Sequence, residues 1–123
     1  MTARRRAMAL GAASCAALAA FEGGAAATMD CRFDTQVVPG GTFPADWPMR
    51  MTDSPARIKV GGSGAWRGRV ERLGPAGAFA QFETEASRET ISVSDDGTAA
   101  WTIAFDDGMS IAYTGRCAPW TED

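Results

Sequence analysis

Short runs of alternating hydrophobic and polar residues dominate the chain from residue 31 onward. This alternation places every second side chain on one face of an extended strand, and it is typical of half-buried β-strands. Glycine and proline separate the runs, and no segment shows a helical period of useful length. The pattern predicts seven strands: Cys31–Val38, Ala56–Val60, Ala65–Leu73, Phe79–Ala86, Thr90–Ser94, Thr98–Phe105 and Met109–Cys117.

The last three predicted strands are joined by two Asp-Asp-Gly turns, at residues 95–97 and 106–108. Glycine at the third position supplies the positive φ that a three-residue hairpin loop requires. Centring the second hairpin on its turn places Trp101 opposite Tyr113, and centring the first places Ile91 opposite Trp101. Both registers therefore bury the same face of the strand that contains Trp101.

Two cysteines lie near the ends of this β-rich part, on faces that alternation predicts to point inward. Cys31 shares a face with Phe33, and Cys117 shares a face with Tyr113. A disulfide between them would stabilise the fold by roughly 4–5 kcal/mol on the chain-entropy model. We therefore predict an all-β domain, a single small antiparallel barrel or sandwich of about seven strands, closed by the Cys31–Cys117 disulfide.

The segment 74–78, Gly-Pro-Ala-Gly-Ala, is expected to form a five-residue loop between the third and fourth predicted strands. This loop length places Leu73 opposite Phe79. It also places Val70 opposite Phe82 and, on the other face of the sheet from that pair, Arg69 opposite Glu83, where the ion pair would contribute a few tenths of a kcal/mol.

The N-terminal segment resembles an export signal rather than a folded element. Three arginines at positions 4–6 precede an uncharged, alanine-rich run over residues 7–20, and Ala25-Ala26-Ala27 offers a cleavage site. This order is typical of a secretory signal peptide. We predict a signal peptide at 1–27 and a single β-domain at 28–123, located in the periplasm or secreted.

Two details of the export route remain open from the sequence. Cys15 follows Leu10-Gly11-Ala12-Ala13-Ser14, which loosely resembles a lipoprotein cleavage box, so lipidation is an alternative. The consecutive arginines are compatible with either of two export routes, the twin-arginine route and the general secretory route.

Charge narrows the range of partners. The whole chain has a formal net charge of −3, and removing the predicted signal peptide makes the remainder more acidic. An acidic domain is a poor candidate for nucleic acid, because phosphate neutralisation drives that binding. No later run is long and apolar enough to span a membrane. The expected partner is an envelope protein or a small ligand.

The sequence also argues against catalysis and metal binding. It contains no histidine, the commonest general base and a frequent metal ligand. The two Asp-Asp-Gly turns flank one strand and so lie at its opposite ends, roughly 25 Å apart, where they cannot share a calcium ion. We expect a non-catalytic protein without cofactor or metal.

The proline-rich segment from Pro39 to Pro55 is the main candidate for a binding surface. Proline at this density argues against a central strand, and long loops are often functional. A lid packed over the end of the barrel is the alternative. The candidate binding residues are the apolar ones of this loop, Phe43, Trp47, Met49 and Met51.

A second candidate surface is a group of cations on the predicted outer face of two strands. It would suit an anionic ligand or an acidic partner, or it would be a solvated face whose charges pair with Glu83 and Glu85. The four cations are Arg57, Lys59, Arg67 and Arg69.

Two family resemblances follow from these motifs. Cys31-Arg32-Phe33, the acidic hairpins and the closing stretch 111–117 resemble a group of small exported bacterial β-proteins of unassigned function. Gly62-Ser63-Gly64-Ala65-Trp66 is similar to a loop of periplasmic inhibitors of C-type lysozyme. The second resemblance implies that Ser63 enters a lysozyme cleft, although the lysine that such inhibitors also use has no counterpart after Ser63.

Overall fold

The computed structural model describes residues 26–122, and every regular element in that range is a β-strand. The strands are β1 (Ala27–Val38), β2 (Gly41–Asp53), β3 (Ala56–Val60), β4 (Ala65–Leu73), β5 (Gly77–Glu83), β6 (Ser87–Val93), β7 (Thr98–Phe105), β8 (Ser110–Cys117) and β9 (Thr121–Glu122). Each strand from β1 to β7 pairs antiparallel with the next, and β8 pairs with β1. The result is a closed eight-stranded barrel, with β9 added beside the start of β1.

The predicted all-β class and the disulfide are confirmed, whereas the predicted loop at 39–55 is wrong. That segment contains β2, which pairs with β1 along most of its length. Its pairing with β3 begins only at Met49, so Pro44 and Pro48 lie in a stretch with a single neighbouring strand. Proline is tolerated at such an edge because no second strand needs its missing N–H. The sequence argument failed because it considered only a central strand, with a neighbouring strand on both sides, and rejected that on account of the prolines.

The two hairpins around β7 have the predicted registers. Trp101 lies opposite Tyr113 on one side and opposite Ile91 on the other. All three side chains are buried. The turn residues and the alternation pattern therefore predicted the registers of these two hairpins correctly.

The β4–β5 hairpin is tighter than predicted. Leu73 lies opposite Gly77 rather than opposite Phe79, so the loop is 74–76. Gly74 has a φ of +76°, which allows the chain to reverse within these residues. The shift of two residues keeps each side chain on its predicted face but changes its cross-strand partner.

The barrel closes along the seam between β1 and β8. Cys31 and Cys117 are directly opposite each other and form the disulfide, with their Cα atoms 3.9 Å apart. Next to it, a Cβ atom on Gly115 would lie 2.0 Å from the Arg32 carbonyl oxygen. Only glycine therefore permits this close approach of the two strands.

The two ends of the barrel differ. Trp120 covers the end where the β4–β5 and β6–β7 turns lie, and it is buried. Its Nε1–H donates to the Gly77 carbonyl at 2.8 Å, and the Arg72 guanidinium lies 5.5 Å from its ring centre. The opposite end, formed by the turns 39–40, 61–64, 84–86 and 106–109, has no comparable plug among the described residues, and we call it the open end.

The predicted signal peptide, including Cys15, lies almost entirely outside the described residues. Strand β1 begins at Ala27, whose N–H donates to the Asp53 carboxylate at 2.9 Å. Within residues 26–122 no helix has the length and apolar character needed to cross a membrane.

Candidate functional site: an aromatic mouth at the open end

A cavity of about 260 Å³ opens at the open end of the barrel. Four aromatic side chains, two aliphatic ones and one carboxylate supply its principal walls. We call these seven residues the mouth: Trp47, Val60, Trp66, Phe82, Glu89, Trp101 and Ile103.

The aromatic residues reach the mouth because they occupy inward positions on four different strands. Trp66 lies opposite the buried Ile58 and stacks on Phe82, with ring centres 5.7 Å apart. Trp101 lies deeper and stacks on Tyr113 at 4.7 Å. Trp47 lies where β2 extends past the end of β3, and the residue is 42% exposed. The set thus runs from a buried floor to an accessible rim.

Glu89 is the only charged residue that lines this cavity, and it is 8% exposed. Its neighbours across the strands are Phe82 and Ile103. Trp101 Nε1–H donates to Glu89 Oε1 at 2.9 Å, and the Ser87 hydroxyl donates to Oε2 at 3.1 Å. Both donors are neutral, so these bonds orient the carboxylate without neutralising its charge.

Sequence analysis missed Glu89 because the predicted strand began at Thr90. Alternation already contained the signal, since Ser87 and Glu89 share the phase of Ile91 and Val93. All four are buried in β6. A charged residue at an inward phase is rare, and extending the period by two residues identifies it.

The four candidate residues of segment 39–55 separate into two pairs. Met49 and Met51 are 2% and 0% exposed and belong to the core, so the expected exposed patch is wrong for them. Phe43 and Trp47 are exposed, at 50% and 42%. Met49 and Met51 point inward because β2 is part of the barrel wall. Since the segment is a wall strand, the alternative of a lid packed over the end of the barrel is also wrong. Of the four, Trp47 alone lines the mouth.

Ser63 lies in the exposed turn between β3 and β4, at the edge of the mouth. Its hydroxyl donates to the Val60 carbonyl at 2.5 Å, and its backbone N–H donates to the same oxygen at 3.2 Å. The side chain therefore stabilises the turn. The structure brings Trp47, from the proline-rich candidate segment, to the same end of the barrel as Ser63 and Trp66, which both belong to the motif at 62–66.

The outer cations do not make the predicted ion pairs. Arg69 pairs with Glu71 on its own strand, and Glu83 pairs with Arg88. Arg67 lies opposite Arg57 rather than opposite an acid. The shorter β4–β5 loop is the physical reason, because it moves Glu83 away from Arg69.

A larger surface concavity of about 480 Å³ lies on this outer side, with Arg32, Arg50, Lys59 and Arg116 in its lining. Arg50 pairs there with Asp30 at 2.7 Å, and both side chains are about 60% exposed. Ion pairs this exposed are weak and screened by salt. The mouth has a more specific arrangement because its polar group is buried among rings.

The Asp-Asp-Gly turns serve as turns in the structure. Asp96 accepts hydrogen bonds from the Thr98 N–H at 3.0 Å and from the Thr98 hydroxyl at 2.7 Å. These two bonds, with a smaller contribution from the charge of Arg116, lower the pKa of Asp96 below its ordinary value. Within residues 26–122 there is no group of three or more side chains suited to holding a metal ion.

No family model matches this chain, and no curated protein or solved structure matches it. The resemblances to small exported β-proteins and to lysozyme inhibitors therefore stay predictions. The mouth is the feature of the molecule from which a function can be inferred.

Proposed function

We propose that this chain is an exported, non-catalytic binding protein that holds a small ligand in the mouth of its barrel. The observation that carries the proposal is the difference between the two ends. Trp120 plugs one end, whereas the other opens into an aromatic cavity with one oriented polar group, Glu89. Concave, mainly apolar sites with few polar groups are typical of small-ligand binding.

The chemistry of the mouth favours binding over catalysis. Glu89 is its only titratable side chain, and both of its oxygens already accept hydrogen bonds. General acid–base catalysis by a pair of groups needs a second group within reach of the same substrate atom. The chain has no histidine to supply one.

The proposed compartment is the periplasm or the extracellular space. It is supported by the sequence pattern of residues 1–27 and by the disulfide, since disulfides persist in oxidising compartments. Cell fractionation, with alkylation of free thiols before and after reduction, tests this. Cytoplasmic protein with two reactive thiols would contradict it.

Binding in the mouth can be tested by NMR of the indole N–H groups, because the four tryptophans divide between the ends. Trp47, Trp66 and Trp101 line the mouth, and Trp120 lies at the opposite end. We expect tert-butanol, a compact neutral probe, to shift the three mouth signals saturably and to leave the Trp120 signal in place. Uniform, non-saturating shifts of all four would contradict the proposal.

A matched pair of variants on β4 sharpens this test. Trp66→Ala removes part of the mouth wall, whereas Leu73→Ala truncates an exposed apolar side chain at the other end of the same strand. We expect Trp66→Ala to weaken tert-butanol binding strongly and Leu73→Ala to leave it unchanged. Equal effects of the two variants would indicate a general change in stability.

Inhibition of a cell-wall hydrolase is the second candidate function. The observation that favours it is the position of Ser63 on an exposed turn beside Trp66 at the open end. An activity assay of C-type lysozyme with increasing amounts of the protein tests it. Inhibition that Ser63→Ala abolishes would support this function, and unchanged lysozyme activity at a large molar excess would contradict it.

A further inference from the structure

We propose that the ligand of the mouth is an organic cation, a compact alkylammonium group held by aromatic faces and by the Glu89 carboxylate. This inference rests on the proposed function and specifies the chemical class of the ligand. Four observations carry it: the aromatic walls, the uncompensated buried charge, the acidic rim and the size of the cavity.

The walls present the π-systems that attract cations. Trp47, Trp66, Phe82 and Trp101 line one cavity of about 260 Å³. A cation near a ring face is attracted by the ring quadrupole, most strongly by tryptophan, and the attraction grows when water is excluded. Three of the four rings in the mouth are those of tryptophan.

The buried charge of Glu89 lacks a cationic partner among the described residues. None of their ion pairs includes it, and its hydrogen-bond donors are an indole and a hydroxyl. An ionised carboxylate has about four acceptor positions, so two bonds leave room for another donor. Because a buried charge is costly without a counter-charge, a ligand that brings a positive charge is favoured over a neutral one.

On the side of the β5–β6 and β7–β8 turns, the rim of the open end carries an excess of charges of the same sign as Glu89, whereas the exposed cations Lys59 and Arg67 lie beside the 61–64 turn. The β5–β6 and β7–β8 turns are joined by the Asp106 N–H, which donates to the Ala86 carbonyl at 3.0 Å. Arg88, the cation beside these turns, pairs with Glu83 at 3.2 Å, and Arg67 lies on the outer face of β4. The exposed acids of the two turns and their flanks are Glu83, Glu85, Asp106 and Asp107. Such a field attracts cations and repels anions.

The dimensions and the donor set exclude two other ligand classes. A cavity of about 260 Å³ is smaller than the roughly 300–1,000 Å³ of sites for drug-sized molecules, so the ligand is compact. A metal ion would need several oxygen ligands, and the mouth offers a single carboxylate. An alkylammonium group meets both conditions, since its methyl groups pack against the rings while its charge faces Glu89.

The test compares three probes of nearly equal shape on the full-length protein at constant ionic strength. Choline is the cation, 3,3-dimethylbutan-1-ol is its neutral carbon isostere, and 3,3-dimethylbutanoate is the anion. Binding is followed by the indole N–H signals, with Trp120 as the internal control. We expect choline to bind at least about tenfold more tightly than the alcohol, and the butanoate to give no saturable shift of the mouth signals.

Variants then assign the preference to named groups. Glu89→Gln keeps the shape of the side chain and removes its charge, so the preference for choline should fall below about threefold. Trp47→Leu, at an accessible position, should weaken choline binding while largely retaining the alcohol. This second variant serves if Glu89→Gln does not fold.

The outcomes separate this inference from the proposed function. If the alcohol binds in the mouth as tightly as choline, or if Glu89→Gln keeps the full preference, the cation inference is overturned and the binding site stands. If neither tert-butanol nor any of the three probes shifts the mouth signals saturably, both proposals are overturned.

Discussion

The indole of Trp101 holds the carboxylate of Glu89 inside the barrel, with 2.9 Å between Nε1 and Oε1. The two residues lie on neighbouring strands, and both are more than nine-tenths buried. Removing a donor from a buried carboxylate leaves an acceptor unsatisfied, which typically costs about 1–3 kcal/mol. This contact therefore links the stability of the barrel to the geometry of the mouth.

A double-mutant cycle measures that link. We expect Trp101→Phe to destabilise the protein, and we expect a smaller effect when Glu89→Gln is already present, because the charge-assisted part of the bond is then absent. The coupling free energy from denaturant unfolding should be about 0.5–2 kcal/mol. Additive effects, within about 0.3–0.5 kcal/mol, would show that the bond contributes little.

The hairpins around β7 were predictable because local chemistry and long-range packing agree there. Asp-Asp-Gly turns limit the loop geometry, and alternation then makes Trp101 the centre of one buried face. The disulfide followed from the same alternation, since Cys31 and Cys117 both have the inward phase. Where two independent signals coincide, the sequence determines the register.

Strand β2 and the β4–β5 register were not predictable by the same means. Whether Pro44 and Pro48 are tolerated depends on which strands lie beside them, and that is a property of the closed barrel. The segment 74–78 contains two glycines, so it permits loops of different lengths. Both alternatives keep the hydrophobic face inward, and alternation cannot choose between them.

The mouth could be predicted only in part, because its seven residues come from six strands. Trp47 was identified as a candidate, but its neighbours in space were assigned to other roles. Glu89 was missed because the predicted strand began one residue later, at Thr90. Inward-facing strand positions are usually apolar, and exceptions are commonest at functional sites. The signal in the sequence is therefore a glutamate at the inward phase of Ile91 and Val93.

Gly115→Ala should prevent proper closure of the seam. The added Cβ would lie 2.0 Å from the Arg32 carbonyl oxygen and 2.6 Å from the Phe33 Cα, and neither backbone atom can move without separating β1 from β8. We expect a loss above about 3 kcal/mol in thermal unfolding, or failure to fold.

The matched control for this variant is Gly64→Ala, where a Cβ would meet nothing within 4 Å. It should change the melting temperature by only a few degrees. Alkylation of free thiols provides a second measurement, since a separated seam leaves Cys31 and Cys117 less able to pair. A Gly115→Ala protein with parental stability and an intact disulfide would contradict the close approach of β1 and β8 at Gly115.

The hydrogen bonds from Thr98 should make Asp96 titrate below its ordinary pKa. Because the folded-state pKa is lowered, this carboxylate stabilises the fold above its unfolded pKa, and the contribution is lost as the pH falls through the folded pKa. Thr98→Val removes the hydroxyl donor and should raise the Asp96 pKa, as followed by carboxyl NMR. Thr102→Val, an exposed change on the same strand, is the control. An unchanged Asp96 titration in Thr98→Val would refute the assignment.

The two ends of the barrel should respond differently to loss of a tryptophan. Trp120 is buried and bonded to the Gly77 carbonyl, so Trp120→Ala should cost about 3–5 kcal/mol and lower the melting temperature by more than about 12 °C. Trp66 is 38% exposed and stacks on one ring, so Trp66→Ala should cost less than about 2 kcal/mol.

Parallel thermal melts of the two variants measure this difference. A small loss of stability in Trp66→Ala would mean that its exposed ring is better explained by a ligand than by folding. Equal destabilisation by the two substitutions would mean that the open end is packed as tightly as the plugged one. The mouth would then be part of the core, and the case for a ligand site there would fail.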